Sequence, residues 1–205
     1  AEPVRLGPLE RWLPWVESLK PPAHESRPMP ADLDDRIERL DRFLAETGLE
    51  AVWFGAPNGF AWLTGGDSVV ARGGASGVAV AGYDGDTVQC LTNNIEAERL
   101  ASEELPDRVT VESYQWYERD LGNVLAEHSP TPAGIDVHLD GASEGPGFER
   151  IDPATIRIPL TAGDVAAYRQ LSRETAGALE SIARDLEPDD TEREVAAALR
   201  VALFN

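Results

Sequence analysis

Alternating helix-like and strand-like segments put this chain in the α/β class, with a mixed sheet of roughly six strands and helices on both faces. Three observations lead there. An apolar repeat at helical spacing, Leu33, Ile37, Leu40 and Leu44 with Phe43 beside them, ends at Gly48 and passes directly into the strand-like run 49–54. Two further strand-like runs, 76–83 and 87–91, flank Asp84-Gly85, a hairpin signal that makes part of the sheet antiparallel. After residue 160 the pattern changes to two amphipathic helices with no strands between them.

Residues 1–30 form a proline-rich extension with seven prolines and a short apolar cluster of Trp12, Leu13, Trp15, Val16 and Leu19. They read as a helical turn or two and an extended strap, the tryptophans serving packing or an interface rather than peptide recognition. Residues 31–160 form the sheet-bearing domain. Gly48 suits a left-handed helix end. Pro57-Asn58-Gly59 reads as a turn, and Phe60 and Trp62 after it share strand parity. Asn93 and Glu96 have capping-box spacing, opening a helix that ends before Pro106. Residues 109–111 read as a strand, 116–127 as a helix, 134–137 as a strand and 156–158 as the last strand. In 161–205, Thr161 and Asp164 open a long helix to Asp185 with Leu171, Leu179, Ile182 and Leu186 on its apolar face. Thr191 and Glu194 cap a second helix carrying Val195, Leu199 and Leu203. Two such helices with no sheet of their own to cover point to a second domain beyond this sequence.

Charge narrows the partners. Acidic residues number 37 against 18 basic ones, a net −19, and Lys20 is the only lysine among 205 residues. Acid excess, scarce lysine and many small residues point to adaptation to high salt. The same field excludes DNA, RNA or anionic lipid as the main partner. Because the Debye length falls to about 3 Å at 1 M salt, the fold is expected to lose stability as salt drops well below molar. Thermal melting across a salt series tests this; a melting temperature that is flat, or higher at low salt, contradicts it. The single cysteine, Cys90, excludes an internal disulfide and sits in a strand-like run as a structural thiol. No run reaches the length of a membrane span, and the N-terminal residues lack a signal-peptide pattern. A cytoplasmic location follows by default.

Motifs of chemistry are sparse. The histidines are His24, His128 and His138. Only His138 has close acidic neighbours, in Asp136-x-His138-x-Asp140, which can in principle hold a divalent metal. A chain this rich in carboxylates produces such neighbourhoods by chance, and a solvated loop is the expectation. No Gly-Lys-Ser/Thr follows Gly55-Ala56-Pro57-Asn58-Gly59, so it is no phosphate loop. The glycines 141, 145 and 147 lack the strand and helix of a dinucleotide fingerprint.

The ordered set of segments from residue 31 onward is more specific. Arg39-Leu40-x-x-Phe43-Leu44, Gly48-Leu49-x-Ala51-Val52, Pro57-Asn58 and Trp62-Leu63-Thr64-Gly65 are followed by Glu96-Ala97-Glu98-Arg99 and Gly134-Ile135-Asp136. Arg157, Asp164 to Arg169, and Leu186-Glu187-Pro188-Asp189-Asp190-Thr191-Glu192 complete it. The set resembles the creatinase/Xaa-Pro peptidase (M24 metallopeptidase) family, with Trp62 where the family has tyrosine. The family's lysine after Arg157 is missing, and Asp164 replaces its glutamate.

The resemblance implies a creatinase-like N-terminal domain over 31–160, with 161–205 as the first helices of an incomplete pita-bread catalytic domain. It implies a homodimer, a peptide substrate for the intact protein, and two divalent metal ions held by residues beyond this sequence. No residue here is thereby assigned as catalytic or as a metal ligand, and the chain alone is expected to be inactive. The stretch from Trp62 to Arg72 matches the part that shapes a substrate entrance. Phe60, Trp62, Asp67 and Arg72 are the candidates, with the Arg72 guanidinium suited to a substrate carboxylate. Two alternatives stay open: a stand-alone binding or assembly domain, and part of a creatinase-like enzyme acting on another C–N bond.

Overall fold

A computed structural model of the chain describes residues 33–70, 76–142, 147–158 and 160–204. The proline-rich extension and Arg72 lie outside the described residues. Two compact units divide the described chain after Gly163.

The larger unit is a six-stranded mixed sheet in the order β4-β3-β2-β1-β5-β6. The strands are β1 (Ala51–Phe54), β2 (Ala79–Tyr83), β3 (Val88–Asn93), β4 (Thr110–Tyr114), β5 (Ala133–Ile135) and β6 (Phe148–Arg150). β1 runs antiparallel to β2, and β2 to β3. The pairs β3–β4, β1–β5 and β5–β6 are parallel. The expected hairpin is present: Gly85 takes φ 90°, and Asp84 Oδ1 accepts the backbone N–H groups of Asp86 and Thr87 at 3.0 and 2.8 Å.

Strand alternation divides the core into two layers. Val52 and Phe54 face one side with Ala79, Ala81, Tyr83 and Cys90. That side is covered by α1 (Leu33–Thr47), α2 (Pro57–Thr64), the helix α3 (Ala97–Arg99) with the π turn Leu100–Glu104 that continues it, and α5 (Ala154–Arg157). Ala51 and Trp53 face the other side, against Val124 and Leu125 of α4 (Leu121–His128). Trp53 lies flat across its strand partner Gly82, where a Cβ would come within 2.3 Å of the indole, and its Nε1–H donates to Ser129 Oγ at 2.8 Å. Cys90 is fully buried, and burial pushes its thiol up to about 12. Tyr83 fastens α1 to the sheet by donating its hydroxyl to Asp41 Oδ1 at 2.7 Å. Burial first, and then Asp41, raises that hydroxyl to about 12.

Three sequence readings need correction. Residues 156–158 are not a strand: Asp152 Oδ1 accepts the Ala154 N–H at 3.0 Å and Pro153 precedes the turn of α5. The sixth strand is instead β6, whose charged Glu149 and Arg150 are exposed at the sheet edge. The helix expected from 116 begins only at Leu121, where Asp120 caps it by accepting the Asn123 N–H at 2.9 Å. Phe60 and Trp62 lie on a helix, α2, not a strand.

The smaller unit holds α6 (Ala162–Arg184) and α7 (Glu192–Phe204). The capping box opening α7 is formed as the spacing predicts, with the Thr191 N–H donating to Glu194 Oε2 at 2.9 Å. Ala178, Ile182 and Ala198 are buried, whereas Leu171, Leu179 and Leu186 are exposed.

Candidate functional site

The candidate site is the passage from β1 through α2 into the loop after Gly65. Because β1 and β5 are parallel, their carboxyl ends lie side by side, and Asp136 just past β5 reaches the start of α2. Ala56 is the N-cap residue of α2 and has no side chain to accept a backbone N–H. Asp136 instead ties down the backbone that enters the helix: its Oδ1 accepts the N–H groups of Gly55 at 2.7 Å and Ala56 at 3.1 Å. Its Oδ2 has no hydrogen-bond partner among the described residues and faces Gly59, where a Cβ would meet it at 2.3 Å. Burial pushes the Asp136 carboxyl above the ordinary aspartate range, against the two N–H donors and the charges of Arg150 and Arg157.

The other end of α2 is held from α1. Arg36, itself buried, donates from Nη1 to the Trp62 carbonyl, and its guanidinium stands 5.8 Å from the centre of the Trp62 ring. A cation at a helix C-terminus is favoured by the helix dipole. Gly65 then reverses the chain at φ 78°, its N–H returning to the Ala61 carbonyl at 2.8 Å. This left-handed cap is the physical reason for glycine at that point of the Leu63-Thr64-Gly65 motif.

The loop after Gly65 rests on the π turn. A Cβ on Gly66 would lie 2.4 Å from the Glu104 carbonyl oxygen. The Asp67 N–H donates to Glu104 Oε2 at 2.9 Å. Arg99 joins the turn together, with Nε 2.8 Å from Glu96 Oε2 and Nη1 3.5 Å from Glu104 Oε1. Ser68 is fully buried, and its carbonyl accepts the Val78 N–H at 2.9 Å.

Of the residues singled out from the sequence, Phe60 is fully buried and Trp62 is 8% exposed. Both pack in the core layer that includes Phe54, with the Phe54 and Trp62 rings edge-on at 5.6 Å. Asp67 is exposed on the loop and turns its own side chain back to accept the Val69 N–H at 2.8 Å. Sequence reading passed over Glu104, the close approach of Gly66 and the hold of Asp136 on the backbone entering α2. The Glu96-x-x-Arg99 spacing signalled the first ion pair, but nothing local linked Glu104 to Asp67.

These residues do not make a metal centre. Among the described residues no group of three or more histidine, cysteine or acidic side chains is placed to hold an ion. Asp136 is buried and engaged with backbone N–H groups, while His138 points its Nε2 to exposed Asp140 at 3.2 Å. The two-metal chemistry therefore does not fit here, and no reaction step is assigned to these residues. Among the described residues no helix is long and apolar enough to cross a membrane.

Comparison with known proteins gives a consistent picture. The sequence profile of the creatinase/prolidase N-terminal domain matches residues 36–140. No curated protein sequence matches the chain. The fold is similar to that of a prolidase from Pyrococcus furiosus, at 19% identity and TM-score 0.58 over 80% of this chain and 48% of that one. It is also similar to an Xaa-Pro dipeptidase from Bacillus anthracis, at 14% and 0.59 over 84% of this chain and 49% of that one. An X-Pro aminopeptidase from Thermotoga maritima MSB8 matches at 17% and 0.60 over 82% and 48%. At such identities the likeness speaks for fold alone. The chain spans about half the length of these solved relatives.

Proposed function

Because the chain belongs to the creatinase/prolidase N-terminal domain family, we propose that it is the non-catalytic N-terminal portion of a metal-dependent Xaa-Pro peptidase. The family match over residues 36–140 carries this reading. In it, 161–205 are the opening helices of the catalytic domain, and the exposed Leu171 and Leu179 of α6, with Leu186 just past its end, are apolar surface for that domain to cover. The intact protein is a cytoplasmic homodimer acting on peptides that carry proline in the second position. Its two divalent ions are held outside this chain. The role of the present residues is to shape the substrate entrance: α2, with Phe60 and Trp62 packed beneath, is the rigid base, and the loop through Asp67 to Arg72 is the contacting part.

Turnover of an Xaa-Pro dipeptide tests the reading. The intact protein with added divalent metal is expected to hydrolyse it, and the 205-residue chain is expected to show no metal-dependent turnover. Arg72→Ala in the intact protein is expected to raise KM about tenfold with kcat little changed, since a bidentate contact to the substrate carboxylate is lost. An unchanged KM removes Arg72 from the entrance. Hydrolysis of a creatine-like C–N bond in place of the dipeptide would move the protein to another branch of the family. Sedimentation of the intact protein reads the dimer.

A further inference from the structure

The π turn at Leu100–Glu104 has no part in the reading above, and its geometry is specific. The Leu105 N–H returns to the Leu100 carbonyl at 2.9 Å, five residues back. Such a turn inserts one residue relative to an α turn and rotates the succeeding residues by roughly 100° about the helix axis. Glu104 is the last residue of this turn, before the chain turns extended at Leu105. Its carbonyl lies against Gly66, and its carboxylate holds the Asp67 N–H. Arg99, one residue before the turn, bonds both Glu96 and Glu104. Those two carboxylate side chains are only 15% and 18% exposed, so salt that erases exposed pairs screens this triad much less. On its other side the loop is pinned where the Ser68 carbonyl accepts the Val78 N–H. Beyond these fastenings, Val70 is 58% exposed.

We propose that Glu104, oriented by Arg99 and the π turn, is a positioning residue that sets the loop after Gly65 for contact with a peptide substrate. This rests on the peptidase reading for the identity of the substrate, but the mount itself is a property of this chain. Glu104 acts through the backbone of Gly66 and Asp67, so its loss loosens substrate binding and leaves the chemical step alone.

Hydrogen exchange and kinetics on the intact protein test it together. Glu104→Ala is expected to speed exchange at the amides of residues 66–69 by about tenfold while β1 and β2 keep their protection. It is also expected to raise KM for an Xaa-Pro dipeptide about fivefold, with kcat within about twofold of the parent. Glu104→Gln keeps an oxygen to accept the Asp67 N–H and is expected to recover most of both effects. Gly66→Ala pushes the loop off the Glu104 carbonyl by contact alone and is expected to reproduce the Glu104→Ala kinetics with every charge in place. Unchanged loop exchange in Glu104→Ala overturns the mount. Faster exchange with an unchanged KM overturns its role in substrate contact. If the intact parent protein turns over no Xaa-Pro peptide, the functional reading fails instead, and loop exchange alone decides whether Glu104 positions the loop.

Discussion

Phe60→Ala is expected to lower the stability of the chain by about 3–5 kcal/mol, the range for deleting a buried aromatic ring. Phe60 is fully buried in α2, within the layer that holds Leu40, Phe54 and Leu63. The helix is fastened at both ends, by Asp136 and by Arg36, so it cannot settle into the space the ring leaves. Asp67→Ala, on the exposed loop, is expected to change stability by no more than about 0.5 kcal/mol. Urea unfolding of the two variants in molar salt measures the contrast. A loss below about 1 kcal/mol for Phe60→Ala would mean that the site collapses freely and that the base of the proposed entrance is not rigid. The pair of variants separates two kinds of candidate: Phe60, buried beneath the proposed entrance, and Asp67, exposed on its loop.

The strands that carry apolar residues on both faces, β1, β2 and β3, were legible because their composition and the Asp84-Gly85 turn are local signals. Gly48 and the Thr191–Glu194 box were legible for the same reason, and the backbone follows them. The misreadings have a common physical origin, since each was decided by groups distant in sequence or lying outside the apolar pattern. Pro57-Asn58-Gly59 followed by Phe60-Ala61-Trp62 alternates like a turn and a strand. It is a helix that opens with Pro57 in its first turn, and Asp136, 80 residues from Ala56, holds the backbone that enters it. β6 was missed because an edge strand with Glu149 and Arg150 exposed needs no apolar alternation. Of the apolar face read for the long helix, Ile182 is buried beside Ala178, while Leu171, Leu179 and Leu186 are exposed. The candidate segment was picked out through the family resemblance. The π turn beneath it was not, because helix-pattern reading carries no signal for an inserted residue.

Asp136 provides the other large effect, and its pH dependence gives a second reading. Asp136→Ala leaves the Gly55 and Ala56 N–H groups without their acceptor, and is expected to cost about 2–4 kcal/mol, since orphaned buried donors keep their full desolvation penalty. Asp136→Asn keeps an oxygen for those N–H groups and removes the charge. Burial raises the Asp136 carboxyl above its unfolded value of 3.8, so the folded chain holds that proton more tightly than the unfolded chain does. The stability this contributes is fully present below pH 3.8 and is lost as pH rises through the folded value. Asn has no such proton to lose. Unfolding free energies of the parent and of Asp136→Asn, measured side by side from acid to neutral pH in molar salt, are therefore expected to diverge in favour of Asn as pH rises. The other carboxylates titrate alike in both proteins and cancel in the difference. A difference that moves toward the parent with rising pH would show the folded carboxyl lowered, with the N–H groups of Gly55 and Ala56 outweighing burial. Asp136 would then hold the backbone entering α2 as an ionised carboxylate rather than as a buried carboxyl that resists ionisation.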